Sequence, residues 1–108
     1  MLSIATLGQM PNDHEEFAYV RHEIKSSRAF VPKNGYVPDK ETAIAIAYAV
    51  ALPVYGKKVV DAEKPFRAEL EGGEWIVLGT LHGQTDGGTL IVQIEQETGK
   101  VSYLNHSE

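Results

Sequence analysis

The residues in this chain best suited to hold a metal or move protons are its four histidines, His14, His22, His82 and His106. No two of them are four residues apart, the spacing that sets two imidazoles on one face of a helix, and no cysteine is present to complete a site. No metal centre and no cofactor are therefore expected, and structural or surface roles account for the histidines. Tyr48 and Tyr55, with Asp86 or His82, could line a pocket and run acid/base chemistry. These residue types are unspecific, however, and aromatic side chains on an apolar helix face normally pack. No catalytic residue is assigned. The nearest thing to a phosphate-binding glycine loop is HGQTDGG, in which Gly87 and Gly88 fit a connection between two strands; no GxSxG, P-loop or GxGxxG sequence occurs.

A second set of residues could bind without catalysing. Asp61, Glu63, Glu69, Glu71, Glu74 and Glu95 lie on or beside predicted strands, where several should face water. If such a set binds anything, the fitting target is a cationic protein surface, drawn in by long-range attraction. Asp61, Glu63, Glu69, Glu71 and Glu74 are the partner-binding candidates. With a net charge of -5 and a pI near 5.3, the chain lacks the basic footprint that nucleic acid requires.

The elements that would position these residues follow from periodicity. Asn12 or Asp13 can cap a short helix carrying Phe17, Val20 and Ile24 at helical spacing. KSSRAFVPKNGYVPD reads as a connection. The clearest helix then runs from a cap at Asp39 to a stop at Gly56, across the alanine-rich ETAIAIAYAVALPVY. On a helical wheel Ile44, Tyr48, Leu52 and Tyr55 fall on one side and Ile46, Val50 and Val54 towards the other, which predicts a helix covered on two sides. Pro53 should kink or loosen its last turn. The remainder reads as antiparallel sheet. Phe66, Ala68 and Leu70 alternate with charges, Gly72 and Gly73 turn the chain, and Glu74 to Leu81 returns. Leu90, Val92 and Ile94 then point one way, a turn passes through Glu97 to Gly99, and Val101 to Leu104 closes the sheet. Trp75, the single tryptophan, shares a face with Val77 and Gly79 and is assigned to the core.

A length of 108 residues, with 43% hydrophobic and 23% charged side chains, fits a single α+β domain, residues 1–108, able to bury a core without cross-links. The start, MLSIATLGQMPND, has neither the basic opening nor the apolar run of an export signal, and no later stretch reads as a membrane span. A cytoplasmic chain with no membrane partner is expected.

Three segments, GYVPDKETAIAIAYAVALPVYG, KPFRAELEGGEWIVLGTL and GGTLIVQIEQETGKVSYLNH, resemble the immunity-protein family whose fold is similar to that of nuclear transport factor 2. The likeness runs from about Gly35 to His106. It is carried by the VPD before the helix, the alanine-rich helix itself, Tyr55 with Gly56, and Pro65 with Phe66. Trp75 with Val77 and Gly79, Gly87 with Gly88, and the Thr-Gly-Lys-Val hairpin complete it. The resemblance implies a cone-shaped, cystatin-like α+β fold, with a long helix on a curved antiparallel sheet of about four strands. It also implies no enzymatic activity and the binding of a cognate toxin in bacterial polymorphic toxin systems. Residues 1–34 lie outside it as an N-terminal extension. Two alternatives stay open: a small-molecule-binding or isomerase-like enzyme of the same cone-shaped fold, which demands a deep pocket around an ionisable group, and an adaptor module that forms a homodimer through the second apolar side of the helix.

Overall fold

A computed structural model describes residues 12–83 and 88–106, and the chain divides into two compact units, 1–31 and 32–108. The first unit contains helix α1, Asp13–Ser26. The Asn12 side chain accepts from the Glu15 amide at 2.8 Å while the Glu15 carboxylate accepts from the Asn12 amide at 3.2 Å, so two otherwise unpaired donors are satisfied reciprocally. Asp13, Glu15 and Glu16 in its first turn favour the positive end of the helix dipole. The expected Phe17, Val20 and Ile24 spacing is present on this helix, yet none of its residues is buried.

In the second unit, helix α2 spans Lys40–Tyr55. Asp39 caps it as expected, accepting from the Thr42 amide at 2.8 Å and hydroxyl at 2.6 Å. Those bonds, the hydroxyl's first, hold the Asp39 carboxyl below its ordinary range. The helix continues through Pro53 to Tyr55 and stops at Gly56, whose φ of 89° suits a residue without a Cβ. Burial differs from the wheel reading. The fully buried positions are Ala43, Ala47 and Ala51, spaced i, i+4, with Ile44, Ile46, Tyr48, Val50, Leu52 and Tyr55 packed half-buried around the core and Val54 exposed. Small side chains let the helix backbone lie close to the sheet, and the large ones reach around its flanks. A short helix, α3, Lys57–Asp61, follows directly and buries Val60; the sequence reading took Gly56 as a stop and saw no helix beyond it.

Four strands complete the unit: β1, Arg67–Glu71; β2, Glu74–Leu78; β3, Leu90–Glu95; and β4, Val101–His106. They form an antiparallel meander in the order β1-β2-β3-β4. Because side chains alternate, the pairing register fixes which residues share a face. Leu70, Trp75, Ile94 and Val101 form one row, and Ala68, Val77, Val92 and Leu104 the next. Both rows look towards α2, and Trp75, Val77, Leu90, Val92 and Ile94 form the core with the three alanines, Val37 and Val60. The Trp75 ring nitrogen donates to the Val37 carbonyl at 2.7 Å, which pays its burial cost. β2 ends at Leu78 rather than Leu81: the Gly79 amide still bonds the Leu90 carbonyl at 3.0 Å, but the Leu90 amide donates to the Glu63 carboxylate instead of returning the bond, and the Thr80 amide turns to the Glu63 carbonyl at 2.8 Å.

The segment before α2 is fastened to the β3–β4 hairpin. Tyr36 and Val37 amides donate to the Glu97 and Gln96 carbonyls at 3.1 and 3.0 Å. Gly35, at φ 83°, passes so close to the Gln96 and Glu97 backbone that a Cβ would collide there.

Candidate functional site

Three polar groupings could carry function, and the first lies inside the unit. As α3 ends, the chain turns Glu63 inward, leaving it 8% exposed. Its Oε1 accepts from the Leu90 amide at 2.7 Å, and its Oε2 pairs with His106 Nε2 at the end of β4. Gly79 makes room, since a Cβ there would strike the Glu63 carboxylate. The Tyr55 ring lies 5.5 Å from that of His106. The expectation that Glu63 is a solvent-facing, partner-binding acid is therefore corrected. Its carboxylate joins α3, β3 and β4, because burying a charge is tolerable only where bonds compensate it.

The second grouping surrounds Asp61. The Tyr48 hydroxyl donates to its Oδ1 at 2.6 Å, Lys57 pairs with its Oδ2, and Lys64 lies 3.3 Å from Oδ1. The Lys57 and Tyr48 bonds hold the Asp61 carboxyl well below its usual range. The Asp61 hydrogen bond raises the Tyr48 phenol, and its bond and charge raise Lys57. Lys64 also sits 4.8 Å above the Tyr48 ring, whose edge meets Phe66 at 6.2 Å. An open hollow of about 280 Å³ beside this cluster is lined by Glu41, Ile44, Ala45, Tyr48, Lys64 and Phe66. Asp61 is thus an ionised acceptor already answered by cations, poorly placed to take a proton at neutral pH. The acid/base set considered from sequence does not converge: Tyr48 bonds Asp61, Tyr55 faces His106, and the His82 ring bonds the Lys64 carbonyl at 2.6 Å. Asp86 and Gly87 lie outside the described residues. Among those residues, no three His, Asp or Glu side chains gather as a metal site would require, and no helix is long and apolar enough to cross a membrane.

The third grouping is the sheet face turned away from α2. Its rows are Arg67, Leu78, Ile91 and Asn105, then Glu69, Ile76, Gln93 and Tyr103, then Glu71, Glu74 and Glu95. Ile76, Leu78 and Ile91 are half-buried in the middle, Glu69 and Glu71 are exposed on the edge strand, and Glu74 is half-buried and bonded to the Gln93 amide. The Arg67 guanidinium donates to the Gly79 carbonyl at 2.8 Å. A hollow of about 530 Å³ runs along the β1 side, lined by Arg67, Ala68, Glu69, Glu71, Ile76 and Leu78. The candidate acids therefore divide: Glu69, Glu71 and Glu74 share this face, Asp61 belongs to the cluster beside α2, and Glu63 is interior. Sequence reasoning missed His106 as the partner of Glu63.

An alanine-faced helix laid on one side of an antiparallel meander makes the second unit an α+β fold. Residues 42–108 match the family described as NTF2 fold immunity protein, and the chain belongs to that family. It is also similar to the uncharacterized protein YhhH of Escherichia coli (strain K12), 26% identical over 101 residues that cover 88% of this chain and 80% of that protein. No solved structure matches. Of the positions that carried the resemblance, Trp75 is core, Gly56 joins α2 to α3, and Gly79 accommodates Glu63. Tyr55 packs beside that core, the Pro65 carbonyl accepts from the Thr80 hydroxyl at 2.5 Å, and Gly88 lies just before β3.

Proposed function

We propose that this chain protects a bacterial cell by binding a cognate toxin in the cytoplasm, as a stoichiometric inhibitor that performs no chemical step. The match to NTF2 fold immunity proteins over residues 42–108 carries this reading. The polar groups support it. Glu63 and Asp61 are engaged in pairs within the chain, while Glu69, Glu71 and Glu74 are left together on an open sheet face. Those three acids are the proposed toxin contacts, and a basic toxin is the fitting partner.

Co-expression tests the reading. Tagged protein is used to recover partners from cells that encode it, and each partner is expressed alone and beside this chain. The expected result is a partner that stops growth alone and is harmless when this chain accompanies it in at least equal amount. If no recovered partner is toxic, and small metabolites instead raise the melting temperature, the immunity reading fails in favour of a ligand-binding one.

A further inference from the structure

We infer that the toxin is held by the face of the sheet opposite α2, and that the occupant is a protein surface on which lysine and arginine side chains surround an apolar or aromatic projection. This inference rests on the immunity reading. The face has the make-up of an interface: Ile76, Leu78 and Ile91 form an apolar middle, Tyr103, 44% exposed, adds an amphipathic ring, and charged groups lie at the margin. Within the 32–108 unit α2 occupies the other face, where the alanines, Val77 and Val92 meet.

Charge decides what fits. Four carboxylates, Glu69, Glu71, Glu74 and Glu95, stand on this face against Arg67 and, opposite Glu95 beyond the strand end, Lys100. Arg67 is already bonded to the Gly79 carbonyl, so its donors are partly spent at home. A second copy of the chain packed face to face would bring these acids against their own counterparts, which costs energy, whereas a cationic surface pairs with them and arrives faster. The sheet patch measures roughly 15 Å across three strand spacings and about 20 Å along the strands. A stable complex covers about 800 Å² on each partner. That face, about 300 Å² as a flat rectangle, is smaller than such a contact, so the contact takes in the whole of it, the acids on β1 and the hollow of about 530 Å³ beside them included, and runs past its edges. An arginine or lysine entering that hollow would lay its aliphatic stem on Ile76 and Leu78 and its charge beside Glu69 and Glu71.

Site-specific photo-crosslinking in cells that encode the chain tests this. The full chain carries Tyr103→p-benzoylphenylalanine on the proposed face or, as a control, Val54→p-benzoylphenylalanine on the exposed end of α2. The joined peptides are identified by mass spectrometry. The expected result is an adduct from position 103 alone, to a different protein, at a segment bearing lysine or arginine. Its yield should fall about tenfold when Glu69→Lys and Glu71→Lys are added, but not with Glu41→Lys on α2. Unchanged thermal melting of the reversed chain shows that the fold survives. Adducts from Val54 alone, from neither position, to a second copy of this chain or to an acidic segment overturn the inference, as does a yield insensitive to the reversals. The two proposals part company cleanly. A basic partner joined at 103 but harmless when expressed alone sinks the immunity reading and keeps the surface; a toxic partner joined only at 54 does the opposite.

Discussion

Glu63 is the residue on which most of the interior polar bonding converges. Its carboxylate serves the Leu90 amide and His106, and its own carbonyl receives the Thr80 amide. Removing it in Glu63→Ala strands the buried Leu90 amide and deprives the half-buried His106 ring of its partner, at a cost of about 2 kcal/mol. A lower urea midpoint with an unchanged slope is the expected outcome, and Glu63→Gln, which keeps an acceptor for Leu90, should lose less. A midpoint identical to that of the unaltered chain would contradict the role. Little in the sequence announced it. Glu63 sits in DAEK, which reads as solvated, and His106 is 43 positions away, so neither periodicity nor local spacing couples them. Gly79 was the faint cue, a strand glycine where a neighbouring group approaches. Asp61 lies on α3 beside α2 rather than on or beside a strand, and its ties to Tyr48, Lys57 and Lys64 depend on that short helix, an element hidden behind the stop at Gly56.

At the scale of elements, α2 was legible at its ends and misread along its length. Asp39 and Gly56 are chemical signals that work locally, whereas the choice of buried stripe depends on what the helix meets. Ile44, Ile46, Tyr48 and Val50 do fall to either side, but the contact line between them is Ala43, Ala47 and Ala51, selected by closeness rather than by hydrophobic area. Ala47→Leu should therefore overpack the seam and cost about 2 kcal/mol, while Ala45→Leu on the exposed side should stay within about 0.5 kcal/mol of the parent. Chemical denaturation of the two variants side by side checks the assignment, and equal stabilities would refute it. The strands were easier to read. Burial alternates strictly from Leu90 to Ile94 and around Trp75, although Ile76, Leu78 and Ile91 are apolar as well, and a slip of one residue would expose the whole inner set. The end of β2 was not visible, because it is set by the pull of Glu63 and Leu90 on Thr80 and Gly79.

For the whole molecule, composition reads as one domain over 1–108, and the structure places a boundary between compact units after Val31. α1 contributes nothing to the buried core, so a chain of residues 32–108 should fold by itself, with a cooperative thermal transition and the β-sheet circular dichroism of the full chain. Loss of that cooperativity would mean that the first unit completes the core. The bonds from Tyr36 and Val37 to Glu97 and Gln96 carry a further consequence, in time rather than in space. They span about sixty residues of chain, and bringing so distant a pair together must wait until both exist. On the ribosome, the segment that leads into α2 emerges long before the hairpin that will hold it, and the bond between Glu63 and His106 closes later still. α2 packs on α3 and the first three strands, so its partners are at hand before β4 is made, and what β4 adds is the His106 ring that secures Glu63.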